Sequence, residues 1–169
     1  MQQIYPSLKI VNIASVWNLH HPVKIEGKSG KKKKFNADII RDGKKRLLVF
    51  GSGKIIATGF KTIRDAGTFI NNIYPEAIFE KISGSCAVIK FDKIIKASEI
   101  FKSDLKVSYE PELFPAIMWK ENGTAFNYFH KGSLVITGAK SYSQLNKSLD
   151  LFCKRFCFEK EKALENTTV

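Results

Sequence analysis

The sequence predicts an α+β fold in which two copies of one unit, each made of strands followed by a helix, build an antiparallel sheet with helices on one face. Three observations predict it: an internal repeat, a hairpin signal in each copy, and a helical pattern after each copy. Residues 50–59 (Phe-Gly-Ser-Gly-Lys-Ile-Ile-Ala-Thr-Gly) and 129–138 (Phe-His-Lys-Gly-Ser-Leu-Val-Ile-Thr-Gly) repeat one pattern position by position. We therefore expect a first repeat over residues 1–77 and a second over 78–169, together forming one domain.

In the first repeat, Asp42-Gly43 is a turn dipeptide between two strand-like runs, which is typical of a β-hairpin. A two-residue turn at these positions places Phe35 directly opposite Phe50 on one face of the hairpin. Alternation puts Leu48 on that same face. It puts Asp38 on the opposite face, which we expect the helices to cover.

In the second repeat the turn dipeptide is Asn122-Gly123. The offset that aligns the two repeated segments matches the Phe pair of the first repeat with Phe114 and Phe129, but a turn at this dipeptide does not place these two residues opposite each other. We give the repeat more weight than the dipeptide, so we expect the turn one residue earlier or a bulge in the hairpin. Alternation places Asn127 on the same face as Phe129.

Apolar residues at helical spacing predict three helices, over residues 61–73, 92–101 and 141–164. The first and the third follow the Thr-Gly that ends each repeated motif, so they can cover one face of the sheet. The other face then keeps a Phe pair in each repeat. Exposed aromatic pairs at both ends of a sheet indicate a binding surface; the alternative is that these rings belong to a second core layer.

The composition favours a polyanionic partner. The chain carries 28 Lys and Arg against 16 Asp and Glu, a formal net charge of +12, which by itself fits nucleic acid or a membrane surface. No run approaches the ~18 apolar residues of a membrane span, and we expect no secretory signal. Cys86, Cys153 and Cys157 lack metal-ligand spacing, and we expect Cys153 and Cys157 to be reduced core residues of a helix. The three histidines are expected to be loop residues, so we expect no catalytic site, no metal and no cofactor.

Several segments carry a resemblance to a known family: Ile10-Val-Asn-Ile13, Phe50-Gly-Ser-Gly-Lys54, Thr58-Gly59, Gly84-Ser-Cys86, Tyr109-Glu-Pro-Glu-Leu-Phe-Pro115 and Leu134-Val-Ile-Thr-Gly-Ala-Lys140. Over most of residues 8–157 the chain resembles the core of the TATA-box-binding protein (TBP) family. The resemblance implies a pseudo-twofold saddle, with a curved sheet that is concave towards DNA and helices on the convex face. It also implies that each repeat inserts two Phe side chains into the minor groove of an AT-rich site and bends the duplex, which is the known binding mode of this family.

The resemblance implies roles for individual residues as well. The four wedges that insert between bases are Phe35, Phe50, Phe114 and Phe129. The residues that line the minor-groove floor are Asn12, Ala14, Leu48, Ile56, Thr58, Lys81, Ser83, Asn127, Val135 and Thr137. The residues that contact phosphates are Arg41, Lys54 and Lys120, and those that bind a B-type general transcription factor are Glu110, Glu112 and Leu113.

Four of the floor residues depart from the family pattern. Lys81 stands where the second repeat should carry an Asn, Asn127 stands where a Leu is expected, and Ala14 and Ser83 replace Val. The expected floor is therefore smaller and more polar than in the family, which leaves a strict preference for TATA open. The Lys31–Lys34 run is a loop that touches phosphates, a nuclear-import-like signal, or a solvated loop.

The sequence thus predicts a transcription initiation factor without catalytic activity. Its expected partners are AT-rich, TATA-like double-stranded DNA, a B-type general transcription factor and the RNA polymerase machinery, with no membrane and no small-molecule substrate. We expect it in the nucleus, or at a cytoplasmic replication site if the protein is viral. Two alternatives stay open: a divergent DNA-binding paralogue that has lost TATA selectivity, and a TBP-fold accessory domain of an enzyme such as a DNA glycosylase. We expect 169 residues to leave no room for the catalytic domain of such an enzyme.

Overall fold

A computed structural model describes residues 8–26 and 37–156. Within these residues the elements follow in the order β1 (Lys9–Asn18), β2 (Ala37–Asp42), β3 (Lys45–Phe50), β4 (Lys54–Phe60), α1 (Ile63–Asn71), β5 (Ile78–Lys90), α2 (Ala97–Phe101), β6 (Ala116–Glu121), β7 (Thr124–Phe129), β8 (Ser133–Thr137) and α3 (Tyr142–Arg155). The eight strands form one sheet in the order β2-β3-β4-β1-β5-β8-β7-β6. Strand pairing is antiparallel in both hairpins, β2–β3 and β6–β7, and in the pairs β3–β4, β7–β8, β1–β4 and β5–β8. This is the α+β class that the sequence predicts.

All three predicted helices are present, with shorter bounds. Helix α1 lies inside the predicted range 61–73, and α3 lies inside 141–164, of which residues 157–164 fall outside the described part of the chain. Helix α2 covers only the second half of the predicted range 92–101. No helix in the described residues is both long enough and apolar enough to cross a membrane.

The two long helices begin with the same capping interaction. The Thr62 hydroxyl accepts a hydrogen bond from the backbone N–H of Asp65 at 3.0 Å. The Ser141 hydroxyl accepts one from the backbone N–H of Gln144 at 3.1 Å. Thr62 and Ser141 occupy equivalent positions of the two repeats, so the duplication extends past the Thr-Gly motif into the helix N-caps.

The chain divides into two compact units, each with its own core. The described part of the first unit comprises residues 12–26 and 37–84, and that of the second comprises residues 8–11 and 85–156. The predicted boundary between the two sequence repeats, at residues 77 and 78, stays a prediction. The core of the first unit consists of Trp17, Leu19, Leu47, Val49, Ile55, Ala57, Phe60, Ala66, Ile70 and Ala77. The core of the second is larger and includes Trp119, Phe126, Tyr128, Leu134, Ile136, Leu149 and Phe152.

The register of the first hairpin differs from the prediction. Asp42 pairs with Lys45, so the two turn residues are Gly43 and Lys44 and not the predicted dipeptide. Gly43 has a φ of 55°, a left-handed conformation that glycine adopts without steric cost, and it therefore takes the first turn position. As a result Phe50 pairs with Ala37, and the predicted cross-strand partnership with Phe35 is wrong. Phe35 itself lies outside the described residues.

The second hairpin uses the dipeptide that its sequence indicates. Glu121 pairs with Thr124, which makes Asn122-Gly123 the turn, with φ values of 53° and 71°. The expected shift of the turn or bulge in the hairpin was therefore wrong. Phe129 pairs with Ala116, just as the equivalent Phe of the first hairpin pairs with an Ala at the equivalent position. The two hairpins therefore have equivalent registers, with Ala37 opposite Phe50 and Ala116 opposite Phe129. A turn at Asn122-Gly123 is consistent with this repeat, so no shift or bulge is needed.

The charged residue predicted on the helix-covered face is there. Asp38 pairs with Val49, a core residue that is 1% exposed. The Asp38 carboxylate is half-buried and accepts a hydrogen bond from the backbone N–H of Glu26 at 2.8 Å. This bond compensates for the partial loss of water around the carboxylate.

Neither of the described cysteines forms a disulfide bond. Cys153 is buried in α3 and Cys86 is half-buried in β5. Burial raises the pKa of the Cys86 thiol, so the unreactive protonated form dominates at neutral pH. Cys157 lies outside the described residues. Within residues 8–26 and 37–156, no group of three His, Cys, Asp or Glu side chains is placed to hold a metal ion.

Candidate nucleic-acid interface

Each unit presents one sheet face that its core does not use. In the first unit this open face consists of Ile39, Leu48, Ile56 and Val16 in one cross-strand row, with Arg41, Arg46 and Thr58 in the next. In the second unit it consists of Met118, Asn127, Val135 and Val88 in one row, with Lys120, Ala125, Thr137 and Cys86 in the next. We call these rows the first and second open faces. Both contain residues that the sequence predicts to line a groove floor.

Alternation explains why these side chains point away from the core. In β7, Phe126 and Tyr128 are at most 1% exposed, whereas Asn127 and Phe129 between and after them are half-buried. In β3, Leu47 and Val49 are core residues, whereas Leu48 and Phe50 are half-buried. The predicted faces of both hairpins are therefore confirmed, although the predicted register was not.

Two of the predicted wedges form an aromatic pair at the edge of the second open face. The rings of Phe114 and Phe129 are 5.8 Å apart between centroids and inclined at 72°, an edge-to-face contact. Phe114 precedes β6 by two residues and is 40% exposed, which is inconsistent with a second core layer over it. The pair thus forms through a ring contact outside the strand ladder. In the first unit, Phe50 occupies the equivalent position to Phe129 and is half-buried.

The predicted floor residues on β1 and β5 make bonds of their own. The Asn12 side-chain oxygen accepts a hydrogen bond from the backbone N–H of Gly59, next to Thr58, at 2.7 Å. This bond leaves the Asn12 amide nitrogen as the end that can donate to a ligand. The Ser83 hydroxyl donates to the backbone carbonyl of Ala14 at 3.1 Å, which joins two predicted floor positions.

The side chains predicted to contact phosphates are all exposed, but one of them already pairs with a carboxylate. Arg41 and Lys120, at equivalent positions of the two repeats, are exposed. Lys54 is also exposed, but its ammonium lies 3.8 Å from the Glu80 carboxylate. Lys81, predicted to lie on the floor, is exposed.

Glu80 is a residue of this surface that the sequence analysis missed. Its carboxylate accepts a hydrogen bond from the Asn18 amide at 2.7 Å as well as pairing with Lys54. The Asn18 bond, followed by the charges of Lys54, Lys81 and His20, holds the pKa of the Glu80 carboxyl below its usual value. The contact with Asn18 spans 62 residues of sequence, so no local pattern could have revealed it.

Arg46 was missed too, although alternation could have found it. It lies between Arg41 and Thr58 in the same cross-strand row. Its guanidinium donates a hydrogen bond to the backbone carbonyl of Lys45 at 2.8 Å and a second one to that of Gly43. The turn therefore holds this cation beside the open face.

The predicted protein-binding residues lie together in the loop before β6. Glu110, Glu112 and Leu113 are all exposed, and Leu113 is 81% exposed. The backbone carbonyl of Glu110 accepts hydrogen bonds from the N–H groups of Leu113 and Phe114, both at 2.9 Å. The same turn thus presents an exposed Leu and positions the wedge Phe114.

Comparison with known proteins shows what this arrangement resembles. The family model described as transcription factor TFIID (or TATA-binding protein, TBP) matches residues 80–157. TATA-box-binding protein 3 of Methanosarcina acetivorans is 32% identical over 153 residues, which cover 78% of this chain and 80% of that protein. The TATA-box-binding protein of Acetabularia peniculus is 31% identical over 137 residues, covering 70% of this chain and 69% of that protein.

A solved structure matches the fold. Methanococcus jannaschii TBP superposes with a TM-score of 0.76 and 24% sequence identity, covering 89% of this chain and 98% of that one. The fold class that the sequence predicts is confirmed by this match. The extent and identity of the two sequence matches show that the chain belongs to the TATA-box-binding protein family.

Proposed function

We propose that this protein is a TBP-like general transcription initiation factor that binds AT-rich promoter DNA through the minor groove, inserts Phe pairs and bends the duplex. The observation that carries the proposal is the Phe114–Phe129 ring pair beside the second open face. A folded domain gains nothing in stability from leaving Phe114 40% exposed. Inserting both rings between base pairs buries them, which offsets the cost of unstacking, a few kcal/mol per step.

The apolar residues of the two open faces support the proposed preference for A·T pairs. Leu48, Ile56 and Val135 offer no hydrogen-bond acceptor. The minor groove of A·T pairs displays acceptors only, whereas a G·C pair adds the guanine amino donor. Apolar side chains against that donor would leave it without a partner. The Asn12 amide and the hydroxyls of Thr58 and Thr137 supply the donors that A·T acceptors require.

The cations around the open faces supply the remaining affinity. We propose that Arg41, Lys54 and Lys120 contact phosphates, together with Arg46, which the turn holds in place. The net charge of +12 favours association with any polyanion. The apolar side chains of the open faces and the Phe pairs then determine which DNA sequences the protein prefers.

We also propose a protein partner, a B-type general transcription factor that docks on Glu110, Glu112 and Leu113 and links the DNA complex to RNA polymerase. Exposure of all three residues on one hydrogen-bonded turn supports this role. Relatives come from archaea as well as eukaryotes, so we propose a nuclear location for a eukaryotic source only. The proposed role is DNA binding without catalysis.

Förster resonance energy transfer between the ends of a short TATA-containing duplex tests the proposal. Binding of the wild-type protein should shorten the end-to-end distance, and an unchanged distance at saturation would overturn the proposal. Phe114→Ala and Phe129→Ala should abolish bending while binding at low salt persists through the cations. Phe101→Ala is the matched control, because Phe101 is exposed in the same unit but lies in α2, away from the open face.

A second candidate is a divergent paralogue that binds DNA without TATA selectivity. The polar Asn127 and the charged Lys81 among the predicted floor residues favour it. Equal affinities for AT-rich and GC-rich duplexes of one length would support this candidate. A clear preference for the AT-rich duplex would reject it.

A further inference from the structure

In the first cross-strand row, the two open faces differ in polarity at one equivalent position. Leu48 lies in β3 between Ile39 and Ile56, in an apolar cross-strand row. Asn127 occupies the equivalent position of the second repeat in β7, between Met118 and Val135. Strand and register correspond and the neighbours in both rows are apolar, so the exchange of Leu for Asn is the change in polarity that a ligand would meet in this row.

The Asn127 amide has no hydrogen-bonding role among the residues that the structure describes. It is half-buried, and within the described residues its side chain makes no hydrogen bond. Its cross-strand neighbours, Met118 and Val135, carry no oxygen or nitrogen in their side chains. Asn is disfavoured in strands, and a half-buried amide without a partner is unfavourable. A Leu would suit this row better, as the first unit shows.

A side-chain amide can read either kind of base pair from the minor groove. Its nitrogen can donate to the acceptors that an A·T pair displays, and its oxygen can accept from the amino group that guanine adds. Leu48 can do neither, so a guanine amino group facing it would lose its partner. The base pair that faces Asn127 can therefore be A·T or G·C, whereas a G·C pair that faces Leu48 leaves the guanine amino group without a hydrogen-bond partner.

We propose that Asn127 is a specificity-determining residue that admits a G·C pair in one half of the DNA site, so that the preferred element is asymmetric. This inference rests on the proposed minor-groove binding. The half-site read by the first open face accepts A·T pairs only at the position facing Leu48. The half-site read by the second accepts a G·C pair at the equivalent position, with the guanine amino group donating to the Asn127 side-chain oxygen.

A palindromic AT-rich duplex makes the test independent of how the protein is oriented. One G·C pair is introduced at each position of a half-site in turn, and then at both symmetry-related positions. At the position that faces residues 48 and 127, the wild-type protein should tolerate one G·C pair within about 3-fold, because it can turn that pair towards Asn127. Two symmetric G·C pairs should weaken binding about 5- to 150-fold, the usual range for one mismatched pair, because one must face Leu48.

Two variants assign the effect to this residue. Asn127→Leu, which copies the first repeat, should lose about 5- to 150-fold already with a single G·C pair. Leu48→Asn should tolerate the symmetric pair of substitutions. Circular dichroism and thermal melting establish that both variants fold, and each is first measured on the AT-rich parent duplex.

Inosine isolates the guanine amino group, because inosine·cytosine lacks that group and presents the same minor-groove acceptors as an A·T pair. Replacing G by inosine should restore binding of Asn127→Leu to its value on the parent duplex. If Asn127→Leu tolerates the single G·C pair as well as the wild type does, the inference is wrong. If the wild type neither binds nor bends the parent duplex, the proposed function fails instead, and the two failures are thereby distinguished.

Discussion

The Glu80 carboxylate places a negative charge beside a predicted phosphate contact. It pairs with Lys54 at 3.8 Å and accepts a hydrogen bond from Asn18 at 2.7 Å. DNA phosphates must therefore compete with Glu80 for the Lys54 ammonium. Glu80→Gln removes the charge and keeps a side-chain oxygen for the Asn18 amide, so it separates the electrostatic effect from the hydrogen bond.

The expected magnitude follows from counterion release. Each phosphate that a protein cation neutralises adds about 0.9 to the slope of log K against log salt concentration. If Glu80→Gln frees Lys54 for one phosphate, the slope should become steeper by about 0.9. Between about 50 and about 200 mM salt, the variant should then lose about 3.5-fold more affinity than the wild type. At the low-salt end it should bind more tightly than the wild type.

Fluorescence anisotropy of a labelled AT-rich duplex over a salt series measures both slopes. Glu76→Gln is the matched control, because it removes the same charge from an exposed Glu whose partner is His21 and not a lysine. In a Lys54→Gln background, Glu80→Gln should change the slope by much less than it does alone. An unchanged slope in Glu80→Gln, or equal effects of the Glu80 and Glu76 variants, would refute the reasoning.

Two further predictions concern stability. Gly59 and Gly138 occupy equivalent positions of the two repeats, with φ values of 86° and 85°. A methyl group added to Gly59 would lie 2.2 Å from the Lys44 carbonyl oxygen, whereas one added to Gly138 would have no atom closer than 3.9 Å. Urea denaturation should show a loss of about 1–3 kcal/mol for Gly138→Ala, from backbone strain alone, and a larger loss for Gly59→Ala; equal losses would contradict this. The Pro22 carbonyl and then Glu76 raise the pKa of His21 above 6.5, so this contribution to stability is complete below that value and is lost as pH rises through the folded-state pKa. Glu76→Gln should reduce the stability difference between about pH 5.5 and about pH 8.5 in the same assay, and an unchanged difference would show that the pair contributes nothing.

The sequence was most informative where local chemistry is decisive. Alternation in β7 assigned Phe126 and Tyr128 to the core and Asn127 to the opposite face, because side chains in a strand point to its two faces in turn. The Asn122-Gly123 dipeptide also marked its turn, because both residues tolerate positive φ, although the sequence analysis gave the repeat more weight and expected a shifted turn or a bulge. Such signals depend on a few adjacent residues, so they are visible without the fold.

Hairpin register shows where sequence reasoning failed. The pairing of Phe35 with Phe50 followed from a turn at Asp42-Gly43. The turn lies one residue later, at Gly43-Lys44, so Phe50 has an Ala partner instead. The ring contact of Phe114 with Phe129 depends instead on the loop before β6, where the Glu110 carbonyl holds the backbone of Phe114. A repeat in sequence identifies equivalent residues, but it does not identify which of them touch.

By itself the sequence determined the α+β class, the duplication, the faces of the hairpin strands and the family. These follow from periodicity, turn residues and motif strings, which are local properties of the chain. Only the tertiary structure decided that Glu80 meets Lys54 and Asn18, that Asn12 binds the backbone beside Thr58, and that the Asn127 amide has no partner among the described residues. These are contacts between segments that are far apart in the chain, and their presence or absence is fixed by how the strands pack and not by any pattern within one strand.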